Sequence, residues 1–166
     1  MGKTNILNIY EYSAARLLNA MKLSIRLLDI NRKLEERLKI IAPNDINLEN
    51  NIKNYIMYFS EKKNLEDLIN DNINQSCKSV ISVLNNYNNL SIEDIKLIQE
   101  LLGSITNFIN KSHVRNFINL SPITVELVST LNLCESKDIG NDKPQFILIV
   151  KKLREMYQLC LENPSK

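Results

Sequence analysis

From Asn5 to Ile41 the chain runs without a glycine or a proline, and Leu7, Tyr10, Ala14, Leu17, Met21, Ile25 and Leu28 recur at steps of three and four. That spacing returns an apolar side chain to one side of a 3.6-residue helix at every turn, so the segment predicts a long amphipathic helix. Lys22, Arg26, Asp29 and Lys33 repeat with the same spacing on another side and predict a solvated face with local ion pairs. A helix of this extent would be roughly 55 Å long. A compact domain of 166 residues has a radius of gyration of about 15 Å. The segment must therefore break or project. The expectation is a break near Asp29-Ile30-Asn31, where the apolar positions slip out of step toward Leu34, Leu38 and Ile41. Projection onto a partner is the alternative.

The rest of the chain also reads as helical. Three glycines and four prolines, with Leu, Lys, Glu and Ile at three-to-four spacing, predict an all-α fold. The expected architecture is one domain over residues 1–166, a bundle of six to seven helices in which 1–41 is the long segment and 46–161 forms the bundle. Pro43 stops the first segment. A second helix is expected from Ile46 to Ser60 with Ile52, Tyr55, Ile56 and Phe59 inward. A third starts at a capping Asn64 and turns Leu65, Leu68, Ile69, Ile73, Cys77, Val80, Ile81 and Leu84 inward, ending in an Asn-rich turn at 85–89. Ser91, with Asp94 three residues on, predicts a capping box for the helix 91–109. A short segment at Val114–Leu120 precedes Ser121-Pro122, a cap followed by proline at the first helical position. Cys134–Asp142 reads as a loop, and a last helix runs from Pro144 to Leu161.

Charge narrows the classes of function. Residues 1–41 carry eight Lys/Arg against four acids, 42–100 five against nine, and 101–166 eight against six. No segment is densely basic, so no nucleic-acid partner is expected. No run of 18 apolar residues and no leader pattern occurs, so neither a membrane partner nor export is expected. Cys77, Cys134 and Cys160 are odd in number and widely spaced, which fits free thiols in an intracellular, reducing location.

Little in the sequence points to catalysis. His113 is the single histidine, and its neighbour Ser112 leaves a helix in another direction, so the two do not form a base and nucleophile. Asp67 and Asp71 share a helix face, but no Glu-x-x-His element exists to complete a carboxylate-bridged metal site. Gly103 and Gly140 stand alone and make no phosphate loop. No enzyme activity, metal or cofactor is expected. Cys134, placed in a loop, is the thiol expected to be accessible.

The run V114-RNFINLSPITVELVSTLNL-133, followed by a turn-rich stretch and F146-ILIVKKLREMYQLC-160, resembles the amino-terminal helical domain of the transcription elongation factor TFIIS. The same bundle occurs in elongin A, in the Mediator and Spn/Iws families, and in the integrase-binding domain of lens epithelium-derived growth factor. Leu120, Ile123, Thr124, Leu127, Leu131, Val150, Leu153 and Tyr157 stand where that family places its leucines, its L-P-[IV]-T helix opening and its final aromatic. The resemblance covers under a third of the chain, and Ile139-Gly140 is followed by N141-DKP-144 where the family has another helix. It implies a scaffold that binds short peptide motifs of nuclear transcription partners, without catalysis.

The functional expectation is thus a protein- or peptide-binding bundle that uses an apolar groove. Its expected partner-binding residues are Leu131, Leu133, Lys137, Asp138 and Ile139, and its location is nuclear if the resemblance holds and cytoplasmic otherwise. One alternative is a viral host modulator of the apoptosis-regulator (Bcl-type) shape. Another is a structural subunit forming a homo- or hetero-oligomer through Leu7, Tyr10, Ala14, Leu17, Met21, Ile25 and Leu28.

Overall fold

The computed structural model describes residues 2–84, 90–136 and 144–162. Six helices follow one another: α1 (Gly2–Ile40), α2 (Leu48–Leu84), α3 (Ile92–Ile109), α4 (Ser112–Arg115), α5 (Ser121–Ser136) and α6 (Pro144–Glu162), with no strand among the described residues. The Asn-rich stretch 85–89 and the residues Lys137, Asp138, Ile139 and Gly140 lie outside them.

The first segment does not break. α1 is continuous through Asp29-Ile30-Asn31, where Arg32 bonds Asp29 one turn back and Glu36 one turn on, at 2.7 and 2.8 Å. The second expected helix does not end at Ser60 either, because Asn64 is an exposed residue inside α2 rather than a cap. No proline or glycine interrupts Lys62-Lys63-Asn64, and a seam of contacts passes through the region without a skip. On α1 the seam runs Ser13, Leu17, Ala20, Ser24, Leu27, Asn31, Leu34, and on α2 Asn51, Tyr55, Tyr58, Lys62, Leu65, Ile69, Asn72, Ser76. Steps of four and three in alternation are the pattern of helices wound about one another. The two long helices form an antiparallel hairpin, so each supplies the lengthwise partner that a lone 39-residue helix would lack. The compactness estimate failed for that reason.

Polar groups set the register of the hairpin. The Ser13 and Ser76 hydroxyls lie 2.7 Å apart, each 2.9 Å from the other's main-chain carbonyl oxygen, and both residues are fully buried. Asn72 accepts from Arg16 and Asn19 and donates to its own helix at Leu68. A shift by one residue would strand these groups without partners, which costs about 1–3 kcal/mol for each buried one. The connecting turn is closed by Asp45, whose carboxylate accepts from the Asn47 N–H at 2.9 Å and whose N–H donates to the Ala42 carbonyl.

α3, α5 and α6 form a layer beside the hairpin: α3 packs on α1, α2 and α6, and α5 on α2 and α6. The expected capping box is present, with the Ser91 hydroxyl accepting from the Asp94 N–H and the Asp94 carboxylate from the Ser91 N–H. α5 begins one residue earlier than expected, at Ser121 rather than after it, and the Asn119 side chain takes the Ser121 N–H. The stretch between α4 and α5 is held by two asparagines one turn apart on α2. Asn70 donates to the Phe117 carbonyl and accepts from the Asn119 N–H at 2.6 Å, while Asn74 donates to the Asn119 carbonyl.

A side chain added at Gly103, inside α3, would meet nothing within 4 Å. The residue therefore marks neither a close helix contact nor a break. Gly103→Ala should stabilise the protein by about 0.5–1 kcal/mol through helix propensity alone; an unchanged or lowered unfolding midpoint in urea would show that something other than open space governs this position.

Candidate functional site

Each long helix carries a second apolar row beside the seam. On α1 it is Tyr10, Ala14 and Met21, which pack half-buried beside Leu17 on the core, and at the same spacing it continues to Ile25 and Leu28, which are exposed. On α2 the row Leu84, Ile81, Cys77, Ile73 is buried, passes the clamping Asn70, is broken by half-buried Glu66 and exposed Lys63, and resumes at Phe59, Ile56 and Ile52, which are exposed. In antiparallel helices, equal offsets from the seam fall on one side of the pair. Ile52, Ile56 and Phe59 of α2 therefore lie on the side that α3, α5 and α6 cover further along, while α1 passes beside them from Leu28 to the ion-paired Asp29, Arg32 and Glu36.

The cover runs out because the layer is short. α3, α5 and α6 have 18, 16 and 19 residues, against 39 and 37 in the hairpin. About half of the hairpin, near 30 Å, thus extends past the layer as an arm. Among the described residues none before Leu65 in α2 and none after Leu34 in α1 is buried. Ile52, Ile56 and Phe59 are 41%, 56% and 54% exposed.

The arm also carries charge: Arg32 bridges Asp29 and Glu36 on the row of Ile25 and Leu28. On the side away from the open face, Arg26 pairs with Glu61 at 3.5 Å, and Lys33 and Arg37 sit over the Tyr58 ring at 5.6 and 5.8 Å. Arg32 and Lys33 flank Asp29 and hold its carboxyl below the usual carboxylate range. Where α2 enters the bundle, burial raises the Glu66 carboxyl, against the pull of Lys62 and Lys63.

The expected site residues fall out differently. Leu131 is buried in the core and Leu133 is half-buried, so neither forms an exposed apolar lip, while Lys137, Asp138 and Ile139 are outside the described residues. The α1 stripe divides: Leu17 is buried, Tyr10, Ala14 and Met21 are half-buried against the core, and Leu7, Ile25 and Leu28 are exposed. The residues carrying the TFIIS-type resemblance, from Leu120 and Ile123 to Leu153, are mainly core positions, with Thr124 and Tyr157 half-buried. Of the α2 residues expected inward, Leu68 is exposed on another side of the helix, and Ile52, Ile56 and Phe59 are left open past the layer. Their signal was in the lengths of the helices, since three short helices cannot cover two long ones.

Chemistry is sparse among the described residues. No group of three or more His, Cys, Asp or Glu side chains is placed to hold a metal ion, and no helix is long and apolar enough to cross a membrane. His113 is half-buried with its Nε2 sealed from solvent and unpartnered; burial, then the Lys111 charge, lowers its pKa. A shallow depression on α1 is bounded by Tyr12, Ala15, Arg16, Leu18, Asn19 and Lys22, where Arg16 lies over the Tyr12 ring at 5.3 Å; it contains no nucleophile or general base.

Cys134 is not the accessible loop thiol of the sequence reading. α5 runs on through it and it is 2% exposed. Cys77 is buried and its thiol is pushed up to about 12 by burial and by nearby Cys160, and burial also raises half-buried Cys160. A water-soluble disulfide reagent should therefore modify Cys160 first and slowly, with Cys77 and Cys134 reacting only on unfolding. Rapid modification of Cys134 in the native protein would contradict its burial.

No family model, curated protein or solved structure matches the chain.

Proposed function

We propose that this chain is a non-catalytic protein-interaction module whose binding element is the arm of the α1–α2 hairpin. One observation carries the reading: an apolar row of α2, Leu84, Ile81, Cys77 and Ile73, is covered by the protein's own helices, and its counterpart on the arm, Phe59, Ile56 and Ile52, is left open. Burying such a face is the main driving force of protein association, and helix-on-helix packing is the form it takes here along the covered half. An amphipathic helical partner would extend the layer that α3, α5 and α6 begin.

Placing a photo-crosslinking amino acid at Phe59, and separately at Val125 on α5, tests this in the cell that makes the protein. Val125 is 79% exposed but lies away from the arm. The expected result is a discrete protein adduct from position 59 and none from position 125. Adducts of equal yield from both positions, or from neither, would contradict the reading.

A further inference from the structure

We propose that His113 makes the short helix α4 and the stretch after it a pH-sensitive latch, closed while the imidazole is neutral and loosened by acid once the ring takes up a proton.

The setting of the ring carries the inference. α4 is four residues long, packs on α3, and places Val114, next in sequence to His113, fully inside the core. The His113 Nε2 is sealed from solvent and has no hydrogen-bond partner. A neutral imidazole can leave one nitrogen as a bare acceptor, but a protonated one carries an N–H on both. In the closed form that N–H and its charge would face neither an acceptor nor water, which is costly to bury. Opening the segment gives the nitrogen to solvent, so proton uptake and opening are coupled.

No neighbouring charge relieves the cost. Within its own segment His113 has Lys111 and Arg115, both cationic, and Arg115 is paired with Glu162 of α6 at 3.4 Å. The end of α3 that leads into α4, Leu101–Ile109, contains no titratable side chain, and neither does the stretch Asn116–Leu120. α2 reaches that stretch through Asn70 and Asn74, and none of its carboxylates nearby in sequence, Glu66, Asp67 and Asp71, acts on the ring. Burial and the Lys111 charge both weaken proton binding by the closed form.

The segment can open without unwinding the hairpin. Its main-chain bonds are local: the Val114 and Arg115 N–H groups donate to the Lys111 carbonyl, and those of Phe117 and Ile118 to the Val114 carbonyl. An opened His113 has the ordinary value of about 6.5, and the closed one lies lower. Above about pH 6.5 both forms are neutral and the latch has its full strength. As the pH falls below that value, the open form gains a proton that the closed form resists, and closure weakens. One such proton can raise the opening by up to about tenfold between pH 7.5 and 5.5.

Two measurements on the purified full chain decide it. His113 is the single histidine, so its imidazole C–H resonance needs no variant for its assignment. It should titrate at lower pH in the native protein than in the protein unfolded in urea. Amide hydrogen exchange, corrected for its intrinsic pH dependence, should show the opening of Val114, Phe117 and Ile118 at least doubling from pH 7.5 to 5.5. At pH 5.5 these amides should exchange at least tenfold faster than those of Leu65 and Ile69 in the hairpin. His113→Asn should abolish the rise with its helical circular dichroism unchanged; if that variant does not fold, His113→Phe, which keeps a ring and cannot titrate, carries the same expectation. A native titration at or above the unfolded one, or a rise that persists without the imidazole, would overturn the proposal. So would exchange in the segment no faster than in the hairpin, because the event would then be global unfolding.

Discussion

Replacing Phe108 with alanine should lower the stability of the protein by about 3–5 kcal/mol, the cost of removing a large buried ring and leaving a cavity that the surroundings only partly fill. Phe108 is 1% exposed on α3, the helix that touches α1, α2, α4 and α6 and so ties the covering layer to the hairpin. Whole domains are stable by only about 5–15 kcal/mol, so the variant should unfold at markedly lower urea with an unchanged slope. A loss under about 1 kcal/mol would mean that α3 does not sit at the centre of the core.

Asn70→Ala should cost about 2–3 kcal/mol, with Asn64→Ala as its control. Asn70 bonds the Phe117 carbonyl at 3.2 Å and the Asn119 N–H at 2.6 Å, and both main-chain groups belong to half-buried residues. Removing the side chain leaves a donor and an acceptor unpaired, each costing about 1–3 kcal/mol where water cannot replace the partner. Asn64 is exposed in the same helix and gains the same helix propensity on becoming alanine, so the difference between the two variants isolates the clamp. Equal midpoints in urea for the two would show that the α4–α5 connection does not depend on Asn70.

The all-α class, the helix starts at Ser91 and Pro144 and the core rows of the second half were legible because they rest on local signals: a capping box, an N-terminal proline and unbroken three-to-four spacing. The long hairpin was not. A 55 Å helix looked incompatible with a compact domain, and that objection vanishes once a second helix of the same length lies beside it; Asn64 then resembled a cap only because the seam that carries the helix past it, through Lys62 and Leu65, could not be seen. The abundance of asparagine reads as compositional bias, yet Asn70, Asn72 and Asn74 each bond groups distant in sequence, which no local pattern announces. Amphipathic spacing located Ile52, Ile56 and Phe59 on one row of α2. It could not say that the row outruns its cover, because spacing records which residues share a face and is silent on what lies opposite.

Side-chain footprinting with a photoactivated carbene, applied to dilute purified protein and to the protein at its working concentration in the cell, tests most directly whether the arm's open face is the one that binds. Phe59 and Met57 are 54% and 56% exposed but lie about half a turn apart on α2, so Met57 serves as the internal reference. The account predicts that Phe59 and Ile56 are labelled in the dilute protomer and protected in the cell, while Met57 is labelled alike in both. Equal labelling of Phe59 in the two states, or protection of Met57 in its place, would contradict it.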